Sequence, residues 1–141
     1  MAALQPAGPG AQAPATVVSI LEHYAKVHAA LAADTVDGVS GAARAIANLV
    51  TGDDGKSLPP ELGAQAEALS KAEDLAAARV AFKPLSASLS RHLGAQRIQT
   101  RGHYQMYCSM ANAGWIQNDE AVKNPYYGKS MLACGELVGS Y

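Results

Sequence analysis

The stretch Leu75-Ala-Ala-Ala78-Arg-Val-Ala-Phe82-Lys-Pro84-Leu85-Ser-Ala-Ser-Leu89-Ser-Arg-His-Leu93 decides the fold. Its apolar residues Leu75, Ala78, Phe82, Leu85, Leu89 and Leu93 recur at alternating steps of three and four, the period of one helix face. Pro84 lies inside this helix. It lacks a backbone donor and its ring crowds the preceding turn, which predicts a kink near Val80–Pro84. Gly94 offers a stop, although the pattern allows the helix to continue toward Gln99.

Three further helical stripes lie upstream. Val17, Ile20, Leu21, Tyr24, Val27, His28 and Leu31 share one face of a helix over Thr16–Ala33, with Thr16 as N-cap. Asp34 and Asp37 open a second helix whose stripe is Val36, Val39, Ala43, Ile46 and Val50, with Gly52 in the C′ position. Asp53–Pro60 carries every turn signal, and a third helix through Leu62, Ala66 and Leu69 follows Pro60. Four amphipathic helices with short connections predict an all-α domain, an antiparallel four-helix bundle over residues 16–99. Residues 1–15 are rich in Pro, Gly, Ala and Gln and read as a flexible lead-in.

Beyond Gly102 the rhythm changes. Tyr104, Met106 and Cys108 alternate with His103, Gln105 and Tyr107, the period of a short strand. Asn112–Gly114 reads as a turn, Trp115-Ile116 as a second extended piece, Lys129–Cys134 as a helical turn, and Glu136–Val138 as a last strand. Residues 100–141 are therefore expected to form a short, irregular C-terminal lobe, with room for a small β-hairpin, in the same single domain as the bundle (16–141).

The totals narrow the function classes. A 141-residue chain suits one domain with one modest core. Eleven basic against twelve acidic residues leave a net charge of −1, which provides no footprint for nucleic acid. No apolar run approaches the roughly 20 residues of a membrane span. The first residues show neither a basic n-region nor an apolar h-region, so no signal peptide is read there. No phosphate loop, zincin helix or nucleophile elbow is present, and the chain is not read as an enzyme.

The sulfur atoms are the informative feature. Both cysteines, and every methionine except Met1, fall between Met106 and Cys134. Cys108 and Met110 share one side of a strand, and Met131 and Cys134 share one face of a helical turn. Two such pairs brought together would offer two thiolates and two thioethers, a soft set that suits Cu(I) and also Ag(I). His103 and Met106 are reserve ligands, with His103 on the strand face opposite Cys108. On residue types alone three readings stay open: a metal site with Cys108, Met110, Met131 and Cys134; a structural disulfide closing about 26 residues for roughly 3 kcal/mol; and buried free thiols. Trp115 is mainly a core anchor, with a covering role beside a metal as the lesser reading. Asn124-Pro-Tyr-Tyr-Gly128 reads as a turn that places Met131 and Cys134 opposite Cys108, with Tyr126 and Tyr127 packing on the bundle around the site. His23 and His28 are five apart and do not form a metal pair. Lys83, Arg91, Arg97 and Arg101 read as a solvated basic strip.

The segments Tyr107-Cys-Ser-Met-Ala111, Trp115-Ile-Gln, Asn124-Pro-Tyr-Tyr-Gly128 and Met131-Leu-Ala-Cys-Gly135 together resemble a bacterial domain family of formally unknown function. That family occurs alone in exported proteins. It also occurs fused to periplasmic adaptor (membrane-fusion) proteins of copper/silver efflux systems. Upstream, Tyr24, His28 to Leu31, Asp34, Ala78-Arg79, Phe82, Leu85-Ser86 and Leu89 extend the likeness to residues 16–138. Ser109 stands where the family usually has proline, and the stretch from Met110 to Trp115 is short. The resemblance implies a periplasmic or secreted protein that buffers Cu(I) or passes it to an efflux adaptor or another copper protein. The alternative is an interaction module held by a Cys108–Cys134 disulfide without metal. A thiol enzyme or redox carrier would need a cysteine of low pKa.

Overall fold

The computed structural model describes residues 11–141, with side chains from residue 13. Residues 1–10, most of the expected lead-in, lie outside the described residues. The elements are β1 (Ala11–Gln12), α1 (Ala15–Ala32), α2 (Val39–Asp53), α3 (Pro60–Ser70), α4 (Leu75–Ala95), β2 (Ile98–Gln99), β3 (Tyr104–Cys108), β4 (Ala113–Gln117), a 3-10 turn (Gly128–Met131) and β5 (Glu136–Ser140).

Local features open α3 and α4, whereas α2 starts at Val39 behind Gly38, which takes a left-handed φ of 79°, and not at the expected Asp34–Asp37 start. Asp74 caps α4, its side chain accepting from the Ala77 N–H at 2.8 Å. Pro60 takes the first position of α3, where its missing N–H costs nothing. The α1 start differs from the sequence reading. The Pro14 carbonyl accepts from the Val18 N–H, so the helix begins before Thr16, which is not its cap. Gly52 likewise lies inside α2, and Asp54 takes the left-handed position at its end with φ 56°. Pro84 lies within α4, four residues beyond Val80, whose side chain is 69% exposed.

Successive helices pack on one another, α1 on α2, α2 on α3 and α3 on α4. The predicted stripes supply the core: Ile20, Leu31, Ile46, Leu62, Leu69, Phe82, Leu85, Leu89 and Leu93 are all buried. Each such side chain contributes roughly 1.5–3 kcal/mol relative to leaving it in water.

The fold is not purely all-α. β3, β4 and β5 form a three-stranded antiparallel sheet in the order β4-β3-β5, and β1 pairs in parallel with β2. The Ser109–Asn112 turn joins β3 to β4, with Met106 opposite Trp115 and Cys108 opposite Ala113. β5 returns on the other side of β3, with a register shift between Gln105 and Met106. Helix and sheet meet around aromatic rings. Tyr24 stacks on Phe82 at 4.8 Å, and Tyr126 lies 6.0 Å from Phe82 and 5.9 Å from Trp115. The Tyr24 hydroxyl bonds Ser86 Oγ at 2.7 Å and accepts from the Ile116 N–H of β4 at 3.0 Å. A helix side chain thereby satisfies a backbone donor on an edge strand.

His28, buried on α1, bonds the Lys123 carbonyl through Nε2 at 2.8 Å. Burial holds this imidazole below the usual histidine range, and the same cause acts in the same direction on His92 and His103. The folded state therefore binds these protons less readily than the unfolded chain. Stability should be complete above the unfolded value of about 6.5 and fall as pH drops toward the depressed folded values. Urea unfolding midpoints between pH 7.5 and 5 should decline, and His28→Gln should flatten that decline. An unchanged slope in the variant would show that His28 contributes nothing to it.

A cysteine pair at the end of the sheet

Register brings the two cysteines together. Glu136 of β5 lies opposite Tyr107 of β3, so the chain just before β5 runs past the end of β3. Cys108 is the last residue of β3 and Cys134 the second residue before β5. Their sulfur atoms lie 3.3 Å apart, and both are free thiols. Cys108 is fully buried and Cys134 half-buried.

The Ala111 N–H points back at Cys108 Sγ, at 3.4 Å, from inside the Ser109–Asn112 turn. Burial alone would push the Cys108 thiol up. The Ala111 N–H, the Cys134 thiol, Asn124 and the Met110 backbone outweigh it and hold Cys108 below an ordinary thiol. Cys134 moves the other way, raised first by its bond to Cys108 and then by burial. The pair thus favours a Cys108 thiolate accepting a hydrogen bond from the Cys134 thiol.

Three side chains tether the turn that carries Met110. The Tyr127 hydroxyl donates to the Met110 carbonyl at 3.2 Å, the Tyr107 hydroxyl to Asn112 Oδ1 at 2.6 Å, and Lys83 Nζ to the Ala111 carbonyl at 3.2 Å. The Cys134 segment is held by Asn124, which is completely buried. Asn124 Nδ2 donates to the Cys134 carbonyl at 2.7 Å, and its Oδ1 accepts from the Tyr126 and Tyr127 N–H groups at 2.7 and 3.0 Å. The Asn124 N–H donates to the Leu132 carbonyl at 2.8 Å.

Asn124–Gly128 is in turn fixed to the helices. Arg79 of α4 donates to the Pro125 carbonyl through Nε and to the Leu31 carbonyl through Nη2, both at 2.8 Å, and pairs with Asp34 at 2.7 Å. Asp34 Oδ2 accepts from the Lys129 N–H at 3.0 Å. Gly128, at φ 58°, fits between these charges, and a Cβ there would collide with both Asp34 and Arg79. Gly128→Ala should therefore cost about 2 kcal/mol through backbone strain and a disturbed ion pair. A lowered urea midpoint with an unchanged slope would report it; a midpoint equal to that of the parent would remove Gly128 from the account. Gly135, next to Cys134, has φ 151°, and a Cβ there would meet Trp115 Cη2 at 2.9 Å.

The other sequence-predicted residues separate clearly. Met110 and Met131 occupy the turns flanking the pair and are 63% and 37% exposed. Met106 is fully buried opposite Trp115 in the core. The Trp115 N–H is committed to Gln117 Oε1 at 2.8 Å, while its ring packs at Gly135. The Tyr126 hydroxyl donates to the Gly114 carbonyl at 2.6 Å. His103 is not beside the sulfurs. It precedes Cys108 by five residues, roughly 16 Å along the strand, and bonds Thr100 Oγ1 through Nδ1 at 2.7 Å. Instead it lines a cavity of about 990 Å³ with Leu21, Glu22 and Arg101. Asp34, Arg79 and the Ala111 N–H position the pair without having been singled out for that task by the sequence reading, which gave it to the Asn124–Gly128 turn as a whole. A buried-capable Asn directly before Pro was the one local signal.

Among the described residues no three His, Cys, Asp or Glu side chains cluster as a metal centre. A metal here would rest on the two cysteines, completed by thioethers. At about 2.3 Å per metal–sulfur bond, two sulfur ligands sit about 3.8 Å apart in a tetrahedral and 4.6 Å apart in a linear arrangement. The 3.3 Å pair would have to open by about 0.5 Å for the tetrahedral and about 1.3 Å for the linear arrangement. Among the described residues no helix is long and apolar enough to cross a membrane. No protein-family model, curated protein or solved structure matches the chain.

Proposed function

We propose that this protein binds a soft monovalent metal ion, Cu(I) and also Ag(I), at Cys108 and Cys134. Met110 and Met131 serve as labile outer ligands. The observation that carries the reading is the 3.3 Å approach of two thiols from separate segments, one buried and one half-buried. Exposed thioethers on both flanking turns support it, because low-coordinate sulfur sites exchange such ions readily. The motif resemblance supports an exported setting and a role in copper buffering or delivery to an efflux adaptor. In this reading the helices form an antiparallel bundle that carries the site, and the protein is a carrier, not a catalyst.

The test is an anaerobic Cu(I) titration of the reduced protein beside Cys108→Ser/Cys134→Ser, against a competing chelator. One equivalent bound by the parent and none by the variant is expected. Equal binding would end the reading. The same 3.3 Å distance also favours a second reading, an interaction module stapled by a Cys108–Cys134 disulfide. A thiol count on protein purified without reductant separates the two, since the module would show no free thiol and bind no Ag(I) in that state.

A further inference from the structure

We propose that Cys108 and Cys134 form a dithiol–disulfide exchange centre for small-molecule disulfides, and that its oxidation expels the bound metal. The coupling to metal rests on the function proposed above; the exchange reaction does not.

The geometry stands between two endpoints. A disulfide needs its sulfurs about 2.05 Å apart, and a two-thiolate metal site needs roughly 4 Å. At 3.3 Å the pair is close to both, and it cannot occupy both at once. Access divides the labour. Cys134 is half-buried, preceded by a turn that exposes Met131 and Leu132, and can meet an external disulfide. Cys108 is sealed from solvent, with its partner sulfur at 3.3 Å and the Ala111 N–H at 3.4 Å. Such an arrangement allows attack by the outer sulfur and resolution by the inner one.

In the first step the Cys134 proton passes to the Cys108 thiolate across the 3.3 Å contact, and the Cys134 sulfur bonds to one sulfur of the incoming disulfide. The incoming S–S bond breaks and one small thiolate leaves, taking the proton from Cys108. In the second step the Cys108 thiolate attacks Cys134 Sγ, the Cys108–Cys134 bond forms, and the second small thiolate leaves. The small disulfide is reduced by two electrons, the cysteine pair is oxidised by two, and the pair's one proton leaves with the first small thiol. A metal held by the pair loses both anionic ligands and is released.

Glutathione buffers of graded oxidised-to-reduced ratio test this on the parent protein, read by alkylation and intact mass. One two-electron transition without accumulating mixed disulfide is expected. Thiols that stay fully alkylatable in oxidised glutathione would overturn the proposal. Single variants test the division of labour. Cys108→Ser should accumulate a glutathione adduct on Cys134, while Cys134→Ser should leave Cys108 unmodified at least tenfold longer. Equal adduct rates in folded variants would overturn the assigned roles. Ag(I), which does not oxidise the pair in this assay, tests the coupling: preloading should shift the transition toward more oxidising buffer, and the oxidised protein should bind none. Equal binding by both forms would overturn the coupling. Ag(I) binding by neither form, with the exchange intact, would overturn the proposed metal function alone.

Discussion

Asn124→Ala should lower stability by about 3–5 kcal/mol and make Cys108 alkylatable in the folded protein, because three buried backbone groups lose their partner together. Asn124 is completely buried, and its side chain serves the N–H groups of Tyr126 and Tyr127 and the carbonyl of Cys134. Each orphaned group costs about 1–3 kcal/mol. The Cys134 carbonyl has no other side-chain donor among the described residues, so its segment should move away from β3 and uncover Cys108. Asn124→Asp separates the two halves of this role. The carboxylate keeps the acceptor for the two tyrosine N–H groups and loses the donor to Cys134. It should preserve the turn, judged by Tyr126 and Trp115 fluorescence, yet release Cys134. Urea unfolding and timed maleimide labelling measure both effects. An alanine variant with parental stability and a protected Cys108 would sink the assignment.

The residues that hold the site explain which parts of the molecule were legible in the sequence. α4 was legible because Phe82, Leu85, Leu89 and Leu93 are all buried along one face, so burial and period agree. β3 was legible because Met106 and Cys108 are buried with half-buried neighbours between them. The sheet as a whole was not. β5 exposes both Leu137 and Val138, and nothing in its five residues says that it pairs with β3 across roughly thirty residues of chain. Long-range pairing has no local period to announce it. Asp34 and Arg79 had the same difficulty. Asp34 read as a helix start and Arg79 as one residue of the fourth helix, and only the fold makes them a 2.7 Å pair bracing Pro125 and Lys129. Even so, Asn124-Pro-Tyr-Tyr-Gly128 was readable as a turn facing Cys108, because Asn-Pro and Gly are turn formers wherever they stand. His103 shows the reverse case: its residue type suggested a ligand, and the structure places it just before β3, bonded to Thr100 Oγ1 and five residues from Cys108.

Metal affinity should fall steeply in acid, and the slope should have two regimes. A thiolate ligand must lose its proton before it binds, so protons and metal compete. Cys134 sits above the ordinary thiol range and Cys108 below it. Between those two values Cys108 is already ionised and one proton, that of Cys134, leaves on binding; affinity should drop about tenfold per pH unit. Below the Cys108 value both protons must leave, and the drop should steepen to about a hundredfold per unit. The sign follows from binding to the deprotonated pair alone: lowering pH never strengthens it. Competition titrations of Ag(I) between pH 5 and 8, corrected for the chelator's own protonation, would read the slope. Met110→Leu/Met131→Leu should lower the affinity at every pH and leave the slope unchanged, because thioethers carry no proton to displace. A flat profile in the parent would mean that the ion is not held by thiolates. An altered slope in the methionine variant would mean that its methionines had been shaping the ionisation of the cysteines and not binding the ion directly.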